Sequence, residues 1–184
     1  IIDALQRNGR TILLQELVRH MDPSFKHVIV TLRNPGRLAY RFNEMGIEVH
    51  VLNLYSPFRD LFQKRRAITR IIDFHPDLCL WWSGDSNLFS TLFRLCGIPV
   101  IWTLHNSTSR WPTVKTRFGV RCAAFLSNYV PYKIICCSNK TYDVYSNIHH
   151  FRTDKLLVIA NGVDITKFSP NKSVRIRVKK ELNI

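Results

Sequence analysis

The sequence predicts an α/β fold, a Rossmann-like three-layer sandwich with a mostly parallel sheet, on three observations. Short apolar runs alternate with segments of helical period along the whole chain. The runs are nearly continuous Val, Ile, Leu and Trp, the composition of strands buried on both faces under helices. Two helical segments stop at a glycine, Met45-Gly46-Ile47 and Cys96-Gly97-Ile98, and each leads at once into the next run. A glycine stop followed directly by a strand is the αβ turn of a doubly wound sheet.

Taken in order, Ile1-Ile2-Asp3 reads as the tail of a first strand cut short, running into a loop over Leu5–Thr11. The first helix is expected over Thr11–Met21 and the next strand over Lys26–Leu32 (KHVIVTL). Arg37–Met45 is helical, Glu48–Leu52 (EVHVL) a strand, and Pro57–Phe74 a long helix. Asp77–Trp82 (DLCLWW) and Pro99–Leu104 (PVIWTL) are strands around a helix at Asn87–Leu95. Val114–Tyr129 and Lys140–Ile148 are helices flanking a strand at Lys133–Cys137, and Lys155–Ala160 is the last strand. Residues 1–170 form the expected domain. Beyond it, 171–184 begin a linker and helix, with Val174–Leu182 helical, so the chain is expected to be an excerpt of a longer one.

Composition narrows the function. Of 184 residues, 27 are Lys or Arg and 13 Asp or Glu, a net charge of +14. Such an excess points outward, to nucleic acid, an anionic membrane or a phosphorylated substrate. Nucleic acid is not expected as a partner. No helix-turn-helix, zinc-finger spacing, aromatic RNA-binding strand or KH-type loop is visible. The dinucleotide pattern G-x-G-x-x-G and the P-loop are also missing. The five Cys are odd in number and contain no C-x-x-C, so a reducing, cytosolic setting fits better than a disulfide framework or zinc. With no Asp-x-Asp to hold a divalent ion on a diphosphate, no metal is expected. The longest stretch without Asp, Glu, Lys or Arg is Leu95–Ser109, and a spanning helix needs about 20 mostly apolar residues. Any membrane contact is therefore expected to be peripheral.

In such sheets ligands bind at the carboxyl ends of the strands. The residues to read are Leu5–Thr11, Ser83-Gly84-Asp85, His105-Asn106-Ser107, Ser138-Asn139 and Asn161-Gly162-Val163-Asp164. These clusters, in this order, resemble the N-terminal half of family 4 glycosyltransferases, which have the two-domain GT-B fold. The most specific piece is Val158–Asp164 (VIANGVD) with Phe168, Pro170 and Arg177–Leu182 (RVKKEL), similar to the family's "vIpNGvD…F.P…R…R.elgi". Pro99–Asn106 (PVIWTLHN) looks like its strand ending in His-Asn, Ile135–Ser138 (ICCS) like its "i..S", Pro76-Asp77 like its recurrent Pro-Asp, and Gly36–Glu48 like its "G.la..l...Gi.v". Two features depart from the pattern. Asn8-Gly9-Arg10-Thr11 stands where the family commonly has Gly-Gly-Ala-Glu, and no two of the four Glu are eight positions apart, as the donor-binding Glu-x7-Glu would require.

The resemblance implies an acceptor-side domain whose donor-binding partner domain is absent from this chain. A full-length enzyme of this kind, a hexosyltransferase, would move a sugar from a nucleotide-sugar to a lipid-linked saccharide or glycan acceptor, in surface polysaccharide or lipopolysaccharide assembly. The transfer is expected to retain configuration without a protein nucleophile or cofactor, and the fragment alone to be inactive. His105 is the expected catalytic residue, placed beside the reacting sugar to donate to a phosphate or orient an acceptor hydroxyl. Gly9 and Arg10 are expected as an anion cradle, and Ser83, Asn106, Ser138, Asn161 and Gly162 as substrate contacts, with Gly162 supplying a tight turn. Ordinary βα loops, helix caps and turns remain alternatives at these positions, and Asp85 or Ser86 is as good an N-cap as a ligand contact.

The basic residues concentrate on two amphipathic stretches. Arg59, Lys64, Arg65 and Arg66 lie in the first, and Lys115 and Arg117 in the second, beside Trp111. Both suit an anionic inner-leaflet surface, although the aromatics are expected mainly to cover the sheet. The alternative to an enzyme is a non-catalytic binding or scaffold module with a basic face toward membrane or nucleic acid.

Overall fold

The first three residues set the order of the sheet. In the computed structural model, which describes residues 1–54, 61–82, 87–109 and 113–184, Ile2 forms a parallel bridge to Thr31. Its N–H donates to Val30 O and its carbonyl accepts from Leu32 N, both at 2.9 Å. On the other side the Ile1 nitrogen donates to Leu80 O at 2.6 Å and its carbonyl accepts from Trp82 N at 2.7 Å. The segment Ile1–Asp3 thus joins two parallel ladders. One pairs β1 (Val28–Thr31) with β2 (Glu48–Val51), and the other runs β3 (Cys79–Trp81), β4 (Val100–Leu104), β5 (Lys133–Cys136), β6 (Leu156–Val158). From β2 through β1 to the N-terminal segment, and onward from β3, the strand order reverses between that segment and β3. That reversal is the crevice where doubly wound folds bind ligands.

Helices α1 (Gly9–His20), α2 (Ala39–Glu44), α3 (Leu61–Ile72), α4 (Asn87–Leu95), α5 (Val114–Leu126) and α6 (Asn139–Asp143) alternate with the strands, as the periodicity predicts. Alternate strand residues serve two cores. Ile29 and Trp82 pack with Ile2, Leu14 and Phe42 on one face, while Val30, Leu32 and Trp81 pack with Phe93, Trp102 and Ile134 on the other. The side-chain period of two sends neighbours to opposite faces, so both faces are covered and the three-layer reading holds. Trp81 and Trp102 are fully buried. Trp102 Nε1 donates to Ser90 Oγ at 2.9 Å, so its polar edge is satisfied. Removing so large a buried side chain costs about 3–5 kcal/mol.

Local signals set the ends. Gly46 and Gly97 take φ of 74° and 81° after α2 and α4, the left-handed backbone expected of them. Thr113 and Thr116 make a reciprocal capping box at the start of α5. The first helix begins two residues earlier than expected, because Asn8 caps it by accepting from Thr11 N at 3.0 Å. α6 relaxes into a π-helical turn over Val144–Ile148. The last helix, α7 (Lys172–Glu181), is capped by Asn171 and buries none of its residues. No helix among the described residues is long and apolar enough to cross a membrane.

Candidate functional site at the sheet crevice

The loop leaving Ile1–Asp3 is pinned before it reaches α1. Leu5 N donates to Pro35 O at 3.2 Å and Leu5 O accepts from Leu38 N at 2.9 Å. Gly36 makes this possible. Its φ is +81°, and a Cβ there would lie 2.4 Å from the Leu5 carbonyl carbon. The pinned loop sets the start of α1, where Gly9 is the first helical residue rather than a loop residue, a correction to the expected boundary. A Cβ on Gly9 would meet no atom of the described residues within 4 Å, so among them the space over it is open. The first amides of a helix point past its end and favour an anion there.

Across the crevice, His105 directly follows the end of β4. Its Nε2 lies 3.0 Å from Thr103 Oγ1, which in turn donates to Trp81 O at 3.2 Å. Thr103 and His105 share a strand face because they are two residues apart. The indole of Trp82 packs on the imidazole, with ring centroids 4.3 Å apart, and its Nε1 donates to Arg10 O at 3.0 Å. One side chain thus ties the first turn of α1 to His105. Burial, and secondarily the positive charge of Arg10, push the His105 pKa down to about 4, so the ring is neutral at physiological pH. Its Nδ1 is buried and has no hydrogen-bond partner among the described residues.

The other expected site residues divide. Asn106 is exposed, and its Oδ1 accepts from the Tyr145 hydroxyl at 2.9 Å, fastening the loop after β4 to the π-helical turn. His149 Nε2 donates to Thr108 O at 2.9 Å in the same fastening. Ser138 is the N-cap of α6, with Oγ accepting from Thr141 N at 3.1 Å. Asn161 and Gly162 are exposed past the end of β6. Gly162 is not in left-handed backbone and a Cβ there would meet nothing within 4 Å, so its position does not demand glycine. The ordered turn lies just beyond, where Asp164 Oδ1 accepts from Thr166 N at 2.9 Å and Lys167 N at 3.1 Å. Ser83, the Asp85 or Ser86 cap, Trp111 and Arg59 lie outside the described residues, as do the side chains of Lys64, Arg65 and Lys115. Arg66 and Arg117 are exposed. Among the described residues no group of three or more His, Cys, Asp or Glu is placed to hold a metal ion.

Sequence reading missed Trp82, Thr103, Tyr145 and the clamp role of Gly36. Trp82 and Thr103 read as strand interior. The available signal was that Thr103 is a hydroxyl two residues before His105 in an otherwise apolar strand.

Comparison with known proteins agrees with this geometry. The model of the family described as Glycosyltransferase Family 4 matches residues 7–167. No curated protein matches the chain. Among solved structures, HepE of Anabaena in complex with UDP-glucose is 16% identical with a TM-score of 0.73, covering 99% of this chain and 49% of that one. The same protein in complex with UDP gives 16% identity and a TM-score of 0.74, covering 99% and 50%. A glycosyltransferase from Rickettsia africae is 14% identical with a TM-score of 0.66, covering 99% and 48%. The chain thus spans about half the length of these enzymes. A family match of that extent, on a crevice built this way, leads to one conclusion: the chain belongs to glycosyltransferase family 4 and has the fold of the N-terminal half of a GT-B enzyme.

Proposed function

We propose that this chain is the acceptor-side half of an enzyme that transfers a hexose from a nucleotide-sugar to a lipid-linked saccharide or related glycan, in lipopolysaccharide or other surface polysaccharide assembly. The observation that carries this reading is His105, a neutral imidazole at the strand-order reversal with one nitrogen lacking a partner among the described residues. Such a ring does not act as a cationic proton donor. It accepts a hydrogen bond from a hydroxyl, which suits positioning a sugar in a retaining transfer without a protein nucleophile or metal. Arg10 and the open start of α1 supply the anion-binding side of the same crevice. The neighbours solved with UDP and UDP-glucose favour a uridine diphosphate sugar as donor, held largely by a second domain.

Attachment to an anionic inner-leaflet surface, at the cytoplasmic side, belongs to the same proposal. Val114, Phe118, Phe125 and Tyr129 recur at helical spacing and are all exposed, with exposed Arg117 and Arg121 beside them. An apolar stripe edged by cations lies in a membrane interface plane.

The test is sugar transfer by the full-length enzyme with His105→Ala. The expected loss in kcat is about 10- to 100-fold, the scale of a lost positioning and electrostatic contact. Transfer at the unaltered rate sinks this reading.

A further inference from the structure

We propose that Thr103 is a positioning residue that locks the His105 ring into the tautomer protonated on Nε2, leaving a lone pair at Nδ1 and so a site that accepts hydrogen bonds and cannot donate them. The inference rests on the glycosyl-transfer reading for its consequence but not for its geometry. Proton accounting decides it. The Thr103 hydroxyl has one hydrogen and lies within bonding distance of two groups, Trp81 O at 3.2 Å and His105 Nε2 at 3.0 Å. A backbone carbonyl only accepts, so both contacts are hydrogen bonds only when the hydroxyl hydrogen goes to Trp81 O. The contact to Nε2 is then a bond only if Nε2 carries the proton and donates to Oγ1. Since the ring is neutral, Nδ1 carries none.

The surroundings hold that arrangement. Thr103 is 3% exposed, so water does not compete for its hydroxyl. Trp81 O belongs to the strand paired in parallel with β4, so the acceptor is fixed by the sheet. Trp82 covers a face of the ring, itself anchored through Nε1 to Arg10 O. Nδ1 is left as a buried acceptor without a partner among the described residues, a state that a hydroxyl or N–H donor relieves and a phosphate oxygen does not. The two choices open at the sequence level therefore separate: His105 takes a hydroxyl of the bound substrate, and an anion falls to Arg10 and the start of α1.

The experiment is long-range proton–nitrogen NMR on the 184-residue chain with nitrogen-15-labelled histidine, read at pH 7. For the native sequence the expected result is a single neutral tautomer with the proton on Nε2 of His105. Thr103→Ser should keep it, because the hydroxyl remains. Thr103→Val, close in shape but without the hydroxyl, should lose it, giving a mixed or Nδ1-protonated ring. A structural role alone would leave the tautomer unmoved. An Nδ1 proton in the native chain, or an unchanged tautomer in a folded Thr103→Val, overturns the inference. If Thr103→Val does not fold, the native and Thr103→Ser spectra still decide it. In the full-length enzyme Thr103→Val should lower kcat about tenfold, with rescue by Thr103→Ser. A tautomer as expected in an enzyme that transfers no sugar would leave this inference standing and remove the functional one.

Discussion

His105 couples the crevice to the stability of the domain. Its folded pKa of about 4 lies below the 6.5 of an unperturbed imidazole, so between those values the unfolded chain binds the extra proton. Stability is therefore present above about pH 6.5 and lost as pH falls toward about 4, by on the order of 2–3 kcal/mol with partial exposure of the ring discounted. His105→Asn should flatten that slope, measured by urea unfolding at pH 7.5 and 4.5. An equal slope in both proteins removes the assignment. The same neutrality means that activity should show no acid limb near pH 6.5 from this residue. Gly36 is the second residue with a consequence of its own. Gly36→Ala places a methyl 2.4–2.5 Å from the Leu5 backbone at a φ of +81°. Backbone cannot step aside as a flexible side-chain end does, so a loss of about 2 kcal/mol or more is expected in chemical unfolding. Gly9→Ala, with open space around it, should cost little by comparison.

Among the elements, α5 departs most from expectation. Its aromatics were expected mainly to cover the sheet, but Phe118 is 66% exposed and Phe125 65%. The helix instead turns Ala123 and Ser127 inward, with Val120, Ala124 and Leu126 partly buried. The sheet beneath explains this. Ala123 belongs to the same buried cluster as Trp81 and Trp102, with Val120, Ala124 and Leu126 packed against it, and small side chains on that face let the helix approach the bulky cluster closely. The displaced aromatics form an outward stripe that a binary reading of sequence cannot tell from a core stripe, since both have the same period. Phe118→Ser with Phe125→Ser should abolish co-sedimentation with vesicles rich in anionic lipid. Exposed positions change stability little, so the unfolding midpoint should stay nearly unchanged. Equal binding by the altered and native chains would remove α5 from the membrane proposal.

For the whole molecule, the reversal of strand order marks a crevice in this half, and the proposed donor site lies on the other half of a GT-B enzyme. Calorimetric titration with UDP-, GDP- and ADP-sugars should give tight binding to a full-length enzyme and weak or no heat with these 184 residues. Tight binding by the chain alone would mean that a complete donor site lies within it, and the division between halves would be wrong. The order of helices and strands, the buried parallel sheet, the glycine stops and the position of His105 at a strand end were legible in the sequence. They depend on hydrophobic period and on backbone preferences of single residues, which act over a few positions of chain. Tertiary structure alone decided that Ile1–Asp3 bridges two ladders, that α5 faces outward with its aromatics, that Gly36 clamps Leu5, and that Thr103 and Trp82 hold the ring of His105. Each joins residues far apart in the chain or depends on what fills the space between layers. Periodicity records which face is apolar, but not what lies opposite it.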